Sequence, residues 1–209
     1  MKTTKSQTKY WKNRSIDWDK SYLSTWNHPH RYILATVLNT FEWHSLMEIG
    51  VGGGANLKNI ISVLGNKQLG GVDVNKDAIE FCEKTFKGGI FRVGSAEDLL
   101  MSDKSCDVLL ADMTYIYVGP FKIKKCLKEL KRIPRKQVVL FEFYEPKWYK
   151  RLYIYLRTGY FAHNWIKLLK KNGFYDIVIM KMPKDAWDKG LQTKHAYYIK
   201  AKPPIRINN

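Results

Sequence analysis

A glycine-rich stretch followed by a carboxylate could hold a nucleoside in this chain. Gly50, Gly52 and Gly54 come directly after a short apolar run and open a helical pattern. Glycines at this point permit a turn with positive φ, and they leave backbone N–H groups open to a ligand at the helix N-terminus. Asp73 ends the next apolar run, 19 residues after Gly54. An acidic side chain at that place can bind both hydroxyls of a ribose.

The glycines by themselves are compatible with two ligands. Gly50, Gly52 and Ala55 also satisfy G-x-G-x-x-G/A, the fingerprint of dinucleotide-binding folds, which leaves an NAD-dependent oxidoreductase as an alternative. Glu48 lies two positions before the first glycine, where a carboxylate can interact with the cationic end of a bound amino acid. Because a dinucleotide offers no such cation, Glu48 favours S-adenosyl-L-methionine.

Alternating strand and helix patterns position these residues at one edge of a sheet. The sequence predicts strands over 45–49, 70–74, 90–93, 107–111, 137–143, 174–180 and 196–201, and helices over 29–41, 55–64, 76–86, 120–132 and 161–172. This alternation predicts an α/β fold with a doubly wound, mostly parallel seven-stranded sheet, whose ligand binds at the carboxyl ends of the strands. We expect a single domain over 1–209, made of an N-terminal helical lid (1–43), a cofactor-binding half (44–145) and a substrate-side half (146–209).

The order of the motifs resembles that of class I S-adenosylmethionine-dependent methyltransferases. Residues 48–54 are similar to their E-x-G-x-G-x-G loop, and residues 71–74 to their second motif. Residues 94–98 and 106–112 are similar to the third and fourth motifs. The resemblance covers about residues 45–145, and loosely reaches 201. It implies a Rossmann-like methyltransferase fold and S-adenosyl-L-methionine as the cofactor.

The resemblance also implies a role for individual residues. Glu48 and the glycines would hold the methionine moiety, Asp73 the ribose, and residues 95–97 would frame the adenine. Ser95 stands where the family commonly has Asp, so its contact with the adenine amine departs from the pattern. The implied cofactor residues are Glu48, Gly50, Gly52, Gly54, Asp73, Val74, Ser95, Ala96, Glu97 and Asp112.

Two narrower resemblances point to different methyl acceptors. Residues 109–119 and 141–146 look similar to small methyltransferases found with sugar-nucleotide and surface-glycan genes, such as the pseudaminic-acid-associated methylases. Residues 112–115 are similar to the D-P-P-Y motif of nucleic-acid amino-methyltransferases, but both prolines are missing. A small-molecule acceptor is therefore our main expectation, and RNA or DNA is the alternative. A third possibility is a non-catalytic S-adenosylmethionine-binding partner subunit.

Methyl transfer to an oxygen or nitrogen requires the acceptor to lose a proton, and four side chains could take it. His28 and His30 flank Pro29 at the start of a predicted helix, and imidazole is suited to this role at neutral pH. Tyr115 and Glu142 follow or end later strands. Each also has a structural explanation: a helix cap or surface position for the histidines, core packing for Tyr115, and a salt bridge for Glu142.

Positive charge is concentrated in the second half of the chain. The formal net charge is +17, and residues 120–209 contribute 22 Lys+Arg against 6 Asp+Glu. Such an excess favours an anionic partner such as nucleic acid, although dispersed lysines also serve solubility. Residues 147–161 mix aromatic rings with positive charge. They could form an ordinary packed helix, a platform for bases, or an amphipathic segment on a membrane surface.

The remaining composition predicts a cytoplasmic enzyme without a metal. The longest apolar runs have about four residues, far short of the roughly 20 that a membrane-spanning helix needs. No apolar core follows the basic first 12 residues, so we expect no secretory signal. The three cysteines have no spacing typical of a metal site or a disulfide framework.

Overall fold

The computed structural model of the protein describes residues 4–187 and 190–205. Its seven strands form one sheet in the order β3-β2-β1-β4-β5-β7-β6. Strands β1 to β5 pair in parallel, and β7 lies antiparallel between β5 and β6. The doubly wound, mostly parallel seven-stranded sheet is thus confirmed. The strands are β1 (Ser45–Ile49), β2 (Gln68–Asp73), β3 (Ile90–Val93), β4 (Cys106–Asp112), β5 (Pro134–Phe143), β6 (Tyr175–Lys181) and β7 (Ala196–Lys202).

Nine α-helices occur in the described ranges. They are α1 (Thr4–Lys12), α2 (Trp18–Ser21), α3 (Pro29–Leu38), α4 (Ala55–Leu64), α5 (Lys76–Thr85), α6 (Ile123–Arg132), α7 (Trp148–Thr158), α8 (Trp165–Lys171) and α9 (Gln192–His195). None of these helices is long and apolar enough to cross a bilayer. The two ends of the predicted 1–209 domain lie outside the described residues, and its division at 43 and 145 stays a prediction.

The helix predicted over 161–172 was wrong at its start. Residues 161–163 run beside the end of β5, because Phe161 N donates to Ile116 O and His163 N donates to Phe143 O. Asn164 then caps α8 by accepting a hydrogen bond from Lys167 N. A tertiary hydrogen-bond pattern therefore outweighs the helical spacing of the apolar residues.

Both faces of the sheet are covered, which explains the continuous apolar runs of its central strands. All five residues of β1 are buried, as is typical of a parallel strand with helices on both sides. Successive side chains of β4 and β5 point to opposite faces and enter two separate clusters. One cluster includes Leu109, Leu127, Leu140 and Trp165, and the other includes Leu34, Leu57, Ile60, Leu110 and Val139.

The strand order reverses between β1 and β4, and this reversal positions the site. The connections that follow these two strands leave in opposite directions, so a crevice opens at their carboxyl ends. Gly50 follows β1 at this crevice, and Asp112 ends β4 there. The predicted cofactor residues come from the ends of β1 to β4, which all lie along the same edge.

His163 is a buried imidazole that holds the connection between β4 and α6. Its Nε2 lies 3.0 Å from Val118 O and 3.3 Å from Tyr115 O, so the ring donates a proton to backbone carbonyls. Burial lowers the pKa of His163 to about 4. The folded protein therefore keeps this imidazole neutral at a pH where an unfolded chain would bind a proton.

We expect His163 to make the protein less stable in acid. Between the ordinary imidazole pKa and about 4 the unfolded chain binds one more proton, so the free energy of unfolding falls as the pH falls. From about pH 7 to about pH 5 this loss amounts to about 2 kcal/mol. His163→Gln keeps a side-chain N–H donor but cannot be protonated. Urea unfolding at the two pH values measures the fall in the free energy of unfolding. This fall should be smaller in His163→Gln than in the unmodified protein by about that amount, and an equal fall in both proteins would contradict the role of His163.

Candidate active site

A cleft of about 380 Å³ opens at the carboxyl ends of β1, β2 and β4. Its inner wall is made by the residues that follow these strands, and its outer wall by the N-terminal segment. This volume lies near the lower end of the roughly 300–1,000 Å³ of small-molecule sites. Eight of the ten predicted cofactor residues line it: Gly50, Gly52, Asp73, Val74, Ser95, Ala96, Glu97 and Asp112.

The glycine stretch bends tightly around the neighbouring strands. Gly50, Gly52 and Gly54 have φ values of +73°, +51° and +75°. A side chain at Gly50 would overlap the Thr114 hydroxyl, which itself donates to Ile49 O at 2.9 Å. Residues with a Cβ rarely adopt this backbone conformation, so glycine is required here both for φ and for space. The stretch consequently brings bare backbone to the cleft wall.

Asp73 ties the glycine stretch to the end of β2. Its Oδ2 accepts a hydrogen bond from Gly52 N at 2.9 Å, and its Oδ1 accepts one from Asn75 N at 2.9 Å. Burial raises the pKa of Asp73, while these backbone donors act to lower it. A carboxylate has about four acceptor positions. Asp73 can therefore accept further hydrogen bonds from a ligand in the cleft.

Several charged or polar atoms beneath the cleft have no partner among the described residues. Glu48 is only 2% exposed, and its Oε1 accepts from Asn56 Nδ2 at 2.6 Å, whereas Oε2 is unpaired in that part of the chain. The same holds for Asp112 Oδ1 and for Nε of Arg31. Burial raises the pKa of Glu48 to about 8, and the charge of Asp112 adds to this increase. Glu48 Oε2 and Asp112 Oδ1 are thus unused acceptors beneath the cleft, and Arg31 Nε is an unused donor there.

His30 lies between a carboxylate and a second imidazole. Its Nε2 is 3.0 Å from Asp112 Oδ2, and its Nδ1 is 2.7 Å from His28 Nδ1. Pro29 at the first position of α3 sets this arrangement, because His28 then occupies the N-cap and His30 the first turn. Burial acts to raise the pKa of Asp112, but the neighbouring His30 and Arg31 outweigh it and the pKa is lowered.

The central part of the chain matches a known protein family. The profile of a family described as "Methyltransferase domain" matches residues 46–137, which include the glycine stretch, Asp73 and Asp112. The chain thus carries a methyltransferase domain, which supports S-adenosylmethionine-dependent methylation. No curated protein matches it in sequence.

Solved structures with low sequence identity share the fold of this methyltransferase. A chain of the complex between the Haloferax volcanii Trm112 methyltransferase activator and a methyltransferase has a TM-score of 0.67 at 15% identity, with 92% of this chain and 99% of that chain covered. A methyltransferase from Bacillus halodurans gives 0.59 at 12% identity, covering 83% and 98%. Geranyl diphosphate methyltransferase in complex with S-adenosylmethionine gives 0.62 at 14% identity, covering 84% of each chain.

Of the four predicted proton acceptors only His30 lines the cleft; His28 contacts the site through His30, and Glu142 and Tyr115 are buried away from it. Glu142 is completely buried, and its Oε1 accepts from Thr114 N and Tyr115 N at 2.7 Å each, while Oε2 accepts from Ile116 N at 3.2 Å. Tyr115 is also fully buried, with its ring 5.3 Å from that of Trp165. Glu142 supports the backbone after β4, and Tyr115 belongs to the core. We therefore drop both as candidates.

Two predicted cofactor residues are close to the cleft but do not line it. Glu48 lies beneath the glycine stretch, and Gly54 caps α4 where a Cβ would overlap the ring of Phe86. Gly54 thus contributes backbone shape, and Glu48 contributes its unpaired oxygen. Neither lies in the lining of the cleft.

The N-terminal segment of the methyltransferase covers the cleft. Thr8, Trp11, Trp18 and Tyr22 line its outer wall. The Asn75 side chain donates to Trp11 O and to Arg14 O, both at 2.8 Å, and so fastens this segment to the start of α5. The predicted helical lid is therefore in contact with the site.

Sequence reasoning missed several residues of the site, among them Arg31, Trp187 and Asn56. Arg31 and Trp187 line the cleft, and the Trp187 ring stacks on His30 at 4.9 Å. Asn56 donates to Glu48 and also to Asp112 at 3.1 Å. Asn56 could have been suspected from its place in the first turn after the glycines. Among the described residues no group of His, Cys, Asp or Glu could hold a metal ion.

Proposed function

We propose that this methyltransferase transfers a methyl group to an oxygen or nitrogen of a small molecule, and that His30 takes the acceptor's proton. The observation that carries the proposal is the chain of contacts from Asp112 through His30 to His28 at the covered cleft. A base positioned in this way typically contributes about 10²–10⁴-fold to a rate.

The unpaired polar atoms suit the methionine end of S-adenosyl-L-methionine. An ammonium group needs acceptors, which Glu48 Oε2 and Asp112 Oδ1 offer, and a carboxylate needs a donor, which Arg31 offers. Arg31 interacts electrostatically with both carboxylates, so the three groups are close together. In this proposal Asp73 binds the ribose, and the remaining lining residues of the motifs, Val74, Ser95, Ala96 and Glu97, surround the adenine.

The cofactor supplies an electrophilic methyl group on a sulfonium, and the protein supplies position and a proton acceptor. An ionised Asp112 can only accept, so Nε2 of His30 carries its proton and Nδ1 keeps a lone pair. His28 Nδ1 lies against that lone pair, so an acceptor can reach Nδ1 of His30 only when the His28 ring turns away from it. Nδ1 of His30 then takes the acceptor's proton, and Asp112 stabilises the imidazolium that results.

The covered cleft favours a small acceptor over nucleic acid. Trp11, Trp18 and Tyr22 of the N-terminal segment form much of one wall, which limits access to groups of modest size. An enzyme that methylates a base must extrude it and stack it on exposed side chains. Tyr115, the counterpart of the D-P-P-Y tyrosine, is buried against Trp165 and cannot do this.

We expect donor binding to release a proton from Glu48. Its pKa of about 8 means that much of this carboxyl is protonated at neutral pH, and an ammonium group beside it favours the ionised form. Affinity for S-adenosylhomocysteine should therefore rise with pH below about 8, by up to about tenfold per unit. Calorimetry in two buffers with different ionisation enthalpies measures the released proton directly.

Glu48→Gln should abolish this proton release, whereas Glu42→Gln, at an exposed position, should preserve it. An affinity that does not change with pH in the unmodified protein would remove Glu48 from the proposed site. The same pH dependence in Glu48→Gln would also do so.

A radiolabel experiment tests the acceptor class. Purified protein and S-adenosylmethionine carrying a tritiated methyl group are incubated with lysate fractions of RNA, DNA, protein, lipid and small molecules. Label in small molecules, or in a lipid that carries a small polar group, supports the proposal. Label confined to nucleic acid or protein, or in no fraction, contradicts it.

A further inference from the structure

Helix α7 presents an apolar face to solvent. Trp148, Tyr149, Leu152, Tyr153 and Leu156 are 48–69% exposed, and Ile154 is the buried residue of this helix. In most surface helices the apolar residues face the core, so the orientation here is reversed. Large exposed apolar patches mark sites of interaction.

The exposed residues form one continuous surface along the helix. Trp148, Leu152 and Leu156 are spaced four apart and form one row, and Tyr149 and Tyr153 form the adjacent row. We call these five residues the α7 face. At 100° per residue Lys150 and Arg157 flank this face, and both are exposed. The helix therefore combines an apolar stripe with a bordering row of cations.

The α7 face lies at the same edge of the sheet as the cleft. Helix α7 follows the carboxyl end of β5, and Ile154 packs with Ile116 and Phe143 near that edge. A second exposed ring, Phe121, follows the neighbouring strand β4 and is 95% exposed. Because β4 and β5 are adjacent and parallel, both apolar elements emerge at the edge where the cleft opens.

The chain segment around α7 is rich in positive charge. Residues 146–175 contain seven Lys and Arg and no Asp or Glu. Trp and Tyr are the side chains enriched at membrane–water interfaces, and basic residues beside them are attracted to anionic lipids.

We propose that the α7 face and Phe121 dock this protein reversibly on an anionic membrane surface. Exposed leucines make no favourable contact with phosphates or with stacked bases. Their transfer into the acyl region of a bilayer, by contrast, lowers the free energy. An uncompensated positive charge complements the negative surface of phosphatidylserine-type lipids. The docking does not depend on the proposed acceptor, since no residue of the α7 face lines the cleft.

Vesicle sedimentation tests the docking in the absence of any methyl donor. We expect binding to vesicles of phosphatidylcholine with phosphatidylserine, much weaker binding to phosphatidylcholine alone, and loss of binding in high salt. Leu152→Gln combined with Leu156→Gln should weaken binding by about tenfold or more. Lys150→Gln and Arg157→Gln should each weaken it by about fivefold.

Control variants change the same residue types elsewhere. Val178→Gln with Met180→Gln alters exposed apolar residues of β6, and Lys84→Gln with Lys87→Gln removes two exposed cations near the end of α5. Both control pairs should bind vesicles within about twofold of the unmodified protein. Unchanged affinity for S-adenosylhomocysteine in every variant shows that the fold is intact.

Four outcomes would overturn the proposal. The first is no sedimentation of the unmodified protein with anionic vesicles. The second is full binding by the leucine variant, and the third is an equal loss in the control pairs. The fourth is a stable dimer in analytical ultracentrifugation that the leucine substitutions dissociate, since a second copy of the chain would then cover the α7 face.

Discussion

Replacing His30 with glutamine should lower the rate of methyl transfer by about 10²–10⁴-fold. Glutamine keeps an N–H that can donate to Asp112 but has no nitrogen that can take a proton. The rate is measured as tritium transferred into the fraction that the lysate experiment identifies. The affinity for S-adenosylhomocysteine should change little, because the contact that orients Asp112 is preserved.

A saturating donor concentration separates a proton acceptor from a residue that only supports donor binding. The loss of rate in His30→Gln should persist at saturating S-adenosylmethionine, because the substitution removes the proton acceptor and leaves donor binding in place. His44→Gln, at an exposed position before β1, serves as the matched control and should keep the full rate. A rate close to normal in His30→Gln would remove His30 from the chemistry.

Asp73→Ala should weaken the binding of S-adenosylhomocysteine by about 10–150-fold, the equivalent of roughly 1.5–3 kcal/mol for hydrogen bonds to a charged group. Calorimetry measures the affinity. Asp77→Ala, which removes an exposed carboxylate a few residues further along, should have no effect.

Asp73 also holds Gly52 N, so a second ligand is needed to separate the two roles. The 2′,3′-dideoxy analogue of S-adenosylhomocysteine has no ribose hydroxyls. If Asp73 binds these hydroxyls, the substitution should cost much less affinity for the analogue than for the parent compound. An equal loss for both would mean that Asp73 supports only the glycine stretch.

The sheet could be predicted from the sequence because its central strands are buried on both faces. Burial of this kind leaves uninterrupted apolar runs such as residues 138–141, and the glycine stretch marks where the first strand ends. The predicted strand boundaries agree with the structure to within a few residues. Gln68 and Pro134, the polar or irregular starts of two strands, carry no such pattern.

The orientation of single side chains at the site could not be predicted in the same way. Glu142 and Tyr115 are 27 residues apart, and their contact depends on how the backbone after β4 turns. Trp187 reaches His30 from a distant segment and leaves no local pattern. Alternation assigns a residue to a face of the sheet, but it does not say whether a carboxylate there binds backbone or ligand.

The attachment of the N-terminal segment has a consequence for turnover. The wall of the cleft that carries Trp11 is held through backbone carbonyls that accept from Asn75, so it can move outward only when those hydrogen bonds break. If a nucleoside product leaves by that side, its release waits for this movement, which then limits the number of catalytic cycles per second. Inhibition by the spent donor would be the kinetic sign of such a gate.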